Sequence, residues 1–128
     1  MPGPLTWAAV AAGGALGSMA RFWLAAFVTT LTGARFPYGT LLINVLGSLV
    51  IGVAAGYSLT PTRMGMHPDL RIFLMVGLCG GFTTFSSFSL QTLELAQSGD
   101  IGLALMNVAG SVVLCLLFVW FGWHLGRV

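Results

Sequence analysis

Charge is nearly absent from this sequence, and the places where it is absent decide what the chain can fold into. No Asp, Glu, Lys or Arg occurs from Phe36 to Thr62, from Ile72 to Leu93 or from Ile101 to Gly126. A fourth uncharged run, Pro2 to Ala20, continues past the single Arg21 as far as Ala34. Each is long enough for the about 20 residues with which an apolar helix crosses a bilayer. Of 128 residues 6% are charged and 57% hydrophobic, with a mean hydropathy of +0.96. A water-soluble domain of this size needs a far more polar exterior. The reading is an all-α membrane protein of one domain, residues 1–128, with four transmembrane helices at roughly 5–31, 38–59, 70–97 and 101–125.

The opening Met-Pro-Gly-Pro lacks the basic region of a signal peptide, and its apolar stretch outruns an h-region, so it is expected to stay as a span. Cys79 and Cys115 fall inside spans and read as free, small buried residues. A net charge of +2 is too small to suggest nucleic acid as a partner. The arginines are more useful for topology. With four spans, Arg63, Arg71 and Arg127 share the side of both termini, and Arg35 marks the other, a bias toward termini inside.

Within the spans, polar and small residues recur at helical spacing. Gly13 with Gly17, and Gly14 with Ser18, form a face that lets another helix approach closely. Arg21 follows that face; it either snorkels to the interface or draws anions into a vestibule. In span two Thr40, Asn44 and Ser48 share one face, and Gly52 and Gly56 form a second small face. The Asn44 amide can bond to another helix or donate its NH2 group to an anion. The loop from Tyr57 to Asp69 contains Pro61, Arg63, Gly65 and Pro68. His67 there has no companion for a metal site and reads as a surface residue, while Asp69 is expected to cap the next helix. Span four repeats the pattern with Asn107, Ser111 and Cys115, and Trp120, Trp123, His124 and Arg127 form an interfacial anchor.

Span three carries the conflict. From Gly77 to Ser89 it holds three glycines and five hydroxyl residues, a poor composition for an uninterrupted helix. In hydrocarbon a freed backbone group must find a partner, so irregular backbone is tolerated where protein, ions or a water-filled cavity supply one. Phe82, Phe85 and Phe88 lie along an i, i+3 row, mixed with Ser86 and Ser89. Phenylalanines of a span ordinarily pack or face lipid, but these adjoin the irregular stretch.

The acids, Asp69, Glu94 and Asp100, all lie near span ends, whereas proton-coupled transporters use ionisable groups at membrane depth. No nucleophile with a base, no metal-ligand cluster and no phosphate loop is present, so the chain does not read as an enzyme. A passive pathway remains, lined by Thr, Ser and Asn donors and by phenylalanine rings with electropositive edges.

At these residues the sequence resembles the Fluc (CrcB) family of fluoride channels. The motifs are Gly13-Gly14 with Gly17 and Arg21, Gly39-Thr40-Leu41 with Asn44, Gly47 and Gly52, the run from Gly80 to Phe88, and Asn107 with Ser111. The resemblance implies an antiparallel, dual-topology homodimer in the plasma membrane (the inner membrane of a bacterium), with the third helix broken at its centre. Such a dimer would pass fluoride through two pores and export it from the cytoplasm, reducing its toxicity. It further implies a structural sodium ion held at the dimer centre by backbone carbonyls of Gly80 and Thr83. Phe82 and Phe85 match the aromatic pore residues and Asn44 the pore asparagine. Thr40, Ser86 and Ser111 match polar lining, and Arg21 a vestibule arginine. Asn107 stands where many relatives have tyrosine. The competing readings are a small dual-topology multidrug or metabolite exporter, which normally carries an intramembrane carboxylate, and a subunit of a larger membrane complex.

Overall fold

A computed structural model describes residues 1–59 and 65–128, and their regular structure is helical. Pro61 and Arg63 of the loop lie outside the described residues. Helix α1 spans Pro4–Thr32, with proline in its first turn, where no backbone N–H is required. It ends at Gly33, whose φ of 77° turns the chain while its N–H bonds the Thr29 carbonyl at 2.9 Å. Helix α2, Tyr38–Ser58, starts directly after Pro37. Helix α3 covers residues 68–82, with π-helical geometry over Phe73–Cys79. Thr83 and Thr84 are extended, with φ/ψ of −82°/158° and −152°/113°. Helix α4 follows as Phe85–Gln97 and, after a turn with Gly99 at φ 89°, helix α5 as Ile101–Arg127. The segments Pro4–Thr32, Tyr38–Ser58, Pro68–Gln97 and Ile101–Arg127 are each long and apolar enough to cross a membrane.

One local expectation is corrected. Asp69 does not cap the third span, because the helix begins one residue earlier, at Pro68. His67 takes that position, its Nδ1 accepting the Asp69 N–H at 3.3 Å. Asp69 instead sits in the first turn, where a carboxylate suits the helix dipole, and accepts the Thr6 hydroxyl at 3.3 Å. His67 is exposed, 3.7 Å from the Asp69 carboxylate.

Two glycine-mediated crossings assemble the bundle. Where α1 meets α3, a Cβ on Gly13 would lie 2.6 Å from the Phe73 carbonyl oxygen, and one on Gly17 would strike the Leu78 carbonyl. The second crossing joins α2 to α5 and is reciprocal. Added Cβ atoms on Gly52 and Gly56 would meet Val119 and Trp123 carbonyls, and those on Gly122 and Gly126 the Leu49 and Val53 carbonyls. The contacts advance together along both chains, so α2 and α5 run in the same direction. Lipid tails are as apolar as the side chains, so helices associate through close backbone packing, and glycine permits the closest approach. A small cluster of Phe36, Leu95 and Ala104 closes the end where the α1–α2 and α4–α5 turns meet, beside the Arg35–Asp100 ion pair at 3.8 Å. The outer faces are apolar, with Phe22, Trp23, Leu116 and Phe121 exposed.

Candidate functional site

The interruption between α3 and α4 strands backbone groups, and neighbouring side chains take up several of them. Thr84 donates its N–H to Asn44 Oδ1 at 2.8 Å, and its carbonyl accepts Asn44 Nδ2 at 3.0 Å. One amide side chain thus pairs with an extended residue as a neighbouring strand would. The Thr83 hydroxyl and N–H both donate to the Cys79 carbonyl, at 2.8 and 2.9 Å, closing α3. The Gly81 carbonyl accepts Arg21 Nε at 3.1 Å and the Ser18 hydroxyl at 3.4 Å. Beyond the gap, Thr84 Oγ1 accepts the Ser87 N–H at 3.1 Å and caps α4.

These bonds give Asn44 and Arg21 protein partners. Asn44 bonds across helices to the α3–α4 junction, and its NH2 group retains a second hydrogen. Arg21 is half-buried against the carbonyl end of α3, where a cation is favoured by the helix dipole. The Gly80 and Thr83 carbonyls lose their helical donors to side chains. The Thr84 N–H that would serve Gly80 goes to Asn44, and the Ser87 N–H that would serve Thr83 goes to the Thr84 hydroxyl.

A cleft of about 440 Å³ opens beside the junction, between α2, α3, α4 and α5. Among the proposed site residues it gathers Asn44, Gly80, Thr83, Phe85 and Ser111. Phe82, Thr40, Ser86, Asn107 and Arg21 do not line it. Phe82 packs against Gly47 of α2 beside the Thr83 methyl group, with its ring 3.5 Å from where a Gly47 Cβ would stand. Thr40 and Asn107 are buried deeper, and Ser86 is exposed with its hydroxyl 3.4 Å from that of Thr84. The single phenylalanine row is also corrected, because the extended pair separates Phe82, at the end of α3, from Phe85, at the start of α4. Phe85 is 78% exposed at the cleft and stacks obliquely on Phe88, with centroids 5.3 Å apart. No acid lines the cleft among the described residues; Asp69 opens α3, Glu94 lies in the last turn of α4, and Asp100 precedes α5.

Two residues stand out that the sequence reading passed over. Thr84 was one hydroxyl among five, although a threonine two residues before a Ser-Ser pair fits a helix cap. Thr92 lies one further turn along the α4 face that carries Phe85 and Phe88, at i+7 from Phe85. It accepts Asn107 Nδ2 at 2.9 Å, while Ser111 donates to Asn107 Oδ1 at 3.5 Å.

Four long apolar spans, three of which wall an acid-free cleft carrying a few amide and hydroxyl groups among apolar side chains, define a multi-pass helical membrane protein. Residues 8–123 match the family described as CrcB-like protein, Camphor Resistance (CrcB), and the chain belongs to that family. It is 53% identical over 124 residues to a protein of Rhodospirillum rubrum named fluoride-specific ion channel FluC, covering 97% of this chain and 95% of that one. A protein of the same name from Paramagnetospirillum magneticum is 52% identical, with 92% of each chain covered. Another from Thermus thermophilus is 49% identical, with 91% of this chain and 90% of that one covered. The relatives are named as channels, and the family is one of channels rather than enzymes.

Proposed function

We infer that this protein is a fluoride-selective passive channel, working as an antiparallel homodimer with two pores and letting fluoride leave the cytoplasm. The observation that carries the reading is the acid-free cleft beside an interrupted span, where Asn44, Ser48, Thr83, Thr84 and Ser111 stand with the Phe85 ring in an otherwise apolar wall. A small anion loses strong hydration on entering a membrane, and fixed N–H and O–H donors with electropositive ring edges replace it. A passive route needs no proton-carrying acid at membrane depth, and the acids of this chain lie at span ends. The names of relatives at about half identity support fluoride as the ion.

Pairing of two copies is supported by the open side of the cleft, where Gly80 and Phe85 remain exposed after the chain has folded. Dual topology accords with the slender three-to-one arginine bias. The carbonyls of Gly80 and Thr83, both relieved of helical donors, fit a hard monovalent cation such as sodium, and two copies would supply four such oxygens. When bound there, the cation would neutralise carbonyl dipoles and tie the two junctions together. Phe82 and Phe85 are read as ring-edge contacts to the anion, with Asn44, Thr40, Ser86, Asn107 and Ser111 as polar groups along its route. Arg21 is read as the vestibule cation.

Reconstitution into liposomes tests the reading. Purified protein is expected to release trapped fluoride far faster than trapped chloride, as read with ion-selective electrodes; release no faster than from empty vesicles would reject the channel. Replacing either ring with an aliphatic side chain, Phe82→Ile or Phe85→Ile, is expected to slow fluoride release about tenfold or more, the equivalent of one lost polar contact at the barrier. Both variants releasing fluoride at the parent rate would remove the ring-edge contact.

A further inference from the structure

We propose, building on the fluoride-channel reading, that Thr92 is a positioning residue of the conduction route, holding the Asn107 amide in a polar septum between two cavities. The second cavity, of about 460 Å³, lies at the end of the bundle where Arg35, Gln91 and Asp100 meet. Three helices run from one cavity toward the other, α4 lining both and α2 and α5 beginning beside the second. Helix α4 presents Phe88 to the cleft and Leu95 to the second cavity, with Thr92 between them. On α5 the cleft takes Ser111 and the second cavity lies by Asp100, with Asn107 between. On α2 the cleft takes Asn44 and the second cavity lies by Phe36 and Pro37, just before the helix, with Thr40 between. Each helix therefore carries a polar side chain between the two cavities, and those of Thr92 and Asn107 meet.

Burial makes that arrangement unusual for so apolar a chain. Asn107 is 1% exposed and Thr40 7%, and a polar group withdrawn from water is unfavourable unless it is paired. The pairing has a direction. Thr92 commits its one hydroxyl hydrogen to the Phe88 carbonyl at 2.7 Å, so toward Asn107 its oxygen acts as an acceptor. The Asn107 amide must then point its nitrogen at Thr92 and its oxygen at Ser111. Ser111, on the cleft wall, holds that oxygen across 3.5 Å, a long bond whose hydrogen can swing to an anion. The second Asn107 N–H is likewise uncommitted by these bonds. Thr92 thus supplies no donor to the ion; it keeps the neighbouring donors turned toward it.

The test is fluoride release from liposomes at low protein density, where the rate reports conduction by each channel and the extent reports the fraction of vesicles holding a working one. Thr92→Val, nearly the same shape without the acceptor, is expected to slow release about tenfold at unchanged extent, the effect of one lost hydrogen bond. Thr92→Ser keeps the oxygen and is expected to restore the rate to within about twofold of the parent. A residue that merely held the fold together would lower the extent instead. Unchanged rate in Thr92→Val, with fluoride release by the parent protein intact, overturns the role of Thr92 alone. Lack of release by the parent overturns the channel reading and this role with it. Asn107→Leu removes the group being held, so parental rate in that variant overturns the proposal even where Thr92→Val does not reconstitute.

Discussion

Asn44→Leu is expected to reduce fluoride release about a hundredfold, a larger effect than loss of either aromatic ring. The reason is that one side chain bonds both the N–H and the carbonyl of Thr84. Leucine has the same branched outline, though it is bulkier, and can do neither. Each stranded backbone group costs about 1–3 kcal/mol, and inside a membrane water is poorly placed to rescue it. The extended conformation at Thr83 and Thr84 would lose its support, and the carbonyl of Gly80 would recover the Thr84 N–H as a helical donor. Hydrogen exchange provides a second reading, with protection at Thr84 falling in Asn44→Leu. Asn44→Asp separates two contributions, since it keeps an acceptor for the Thr84 N–H but has no donor for the carbonyl and adds a negative charge to an anion route. Parental release together with unchanged protection in Asn44→Leu would show that the junction stands without this amide.

Gly126→Ala is expected to cost the most in assembly, because its Cβ would run into the Val53 carbonyl, and a backbone atom cannot turn aside as a side chain does. Overfilling a packed interior typically costs about 1–3 kcal/mol, and a clash with backbone belongs at or above that upper limit. Gly52→Ala meets the same obstacle from the opposite helix, at the Val119 carbonyl. Both variants should lose most of the monodisperse protein recovered in detergent and resist denaturant less. Gly102→Ala is the control, since nothing stands within 4 Å of its added methyl group. Equal recovery of Gly126→Ala and Gly102→Ala would mean that α2 and α5 part easily, against the reading of their crossing as the spine of the bundle.

The sequence makes some of this architecture legible and conceals the rest for physical reasons. Apolar runs are additive along the chain, so four helices can be counted from composition. Small-residue spacing likewise marks Gly13, Gly17, Gly52 and Gly56 as crossing points. Gly122 and Gly126 carry the same four-residue spacing, but they lie among Trp120, Trp123 and His124, and the crossing with Gly52 becomes visible only when both helices stand side by side. His67 shows the limit at a helix start, where a shift of one residue replaces Asp69 as the cap. Thr84 and Thr92 were hidden for another reason: hydroxyls are frequent in membrane helices, where most bond back to their own helix, as Thr29 and Ser48 do here.

By itself the sequence determined a membrane-embedded, four-helix chain with its acids kept to span ends and an awkward composition from Gly77 to Ser89. Those properties depend on residue type and local spacing alone. The tertiary structure decided which groups meet: that Asn44 spends its amide on Thr84, that Arg21 closes the carbonyl end of α3, and that Asn107 leans on Thr92 rather than on the cleft. A hydrogen bond joins atoms from segments far apart in the chain, and its partner is chosen by distances of a few tenths of an ångström. Such distances exist only once the glycine crossings have brought the helices together.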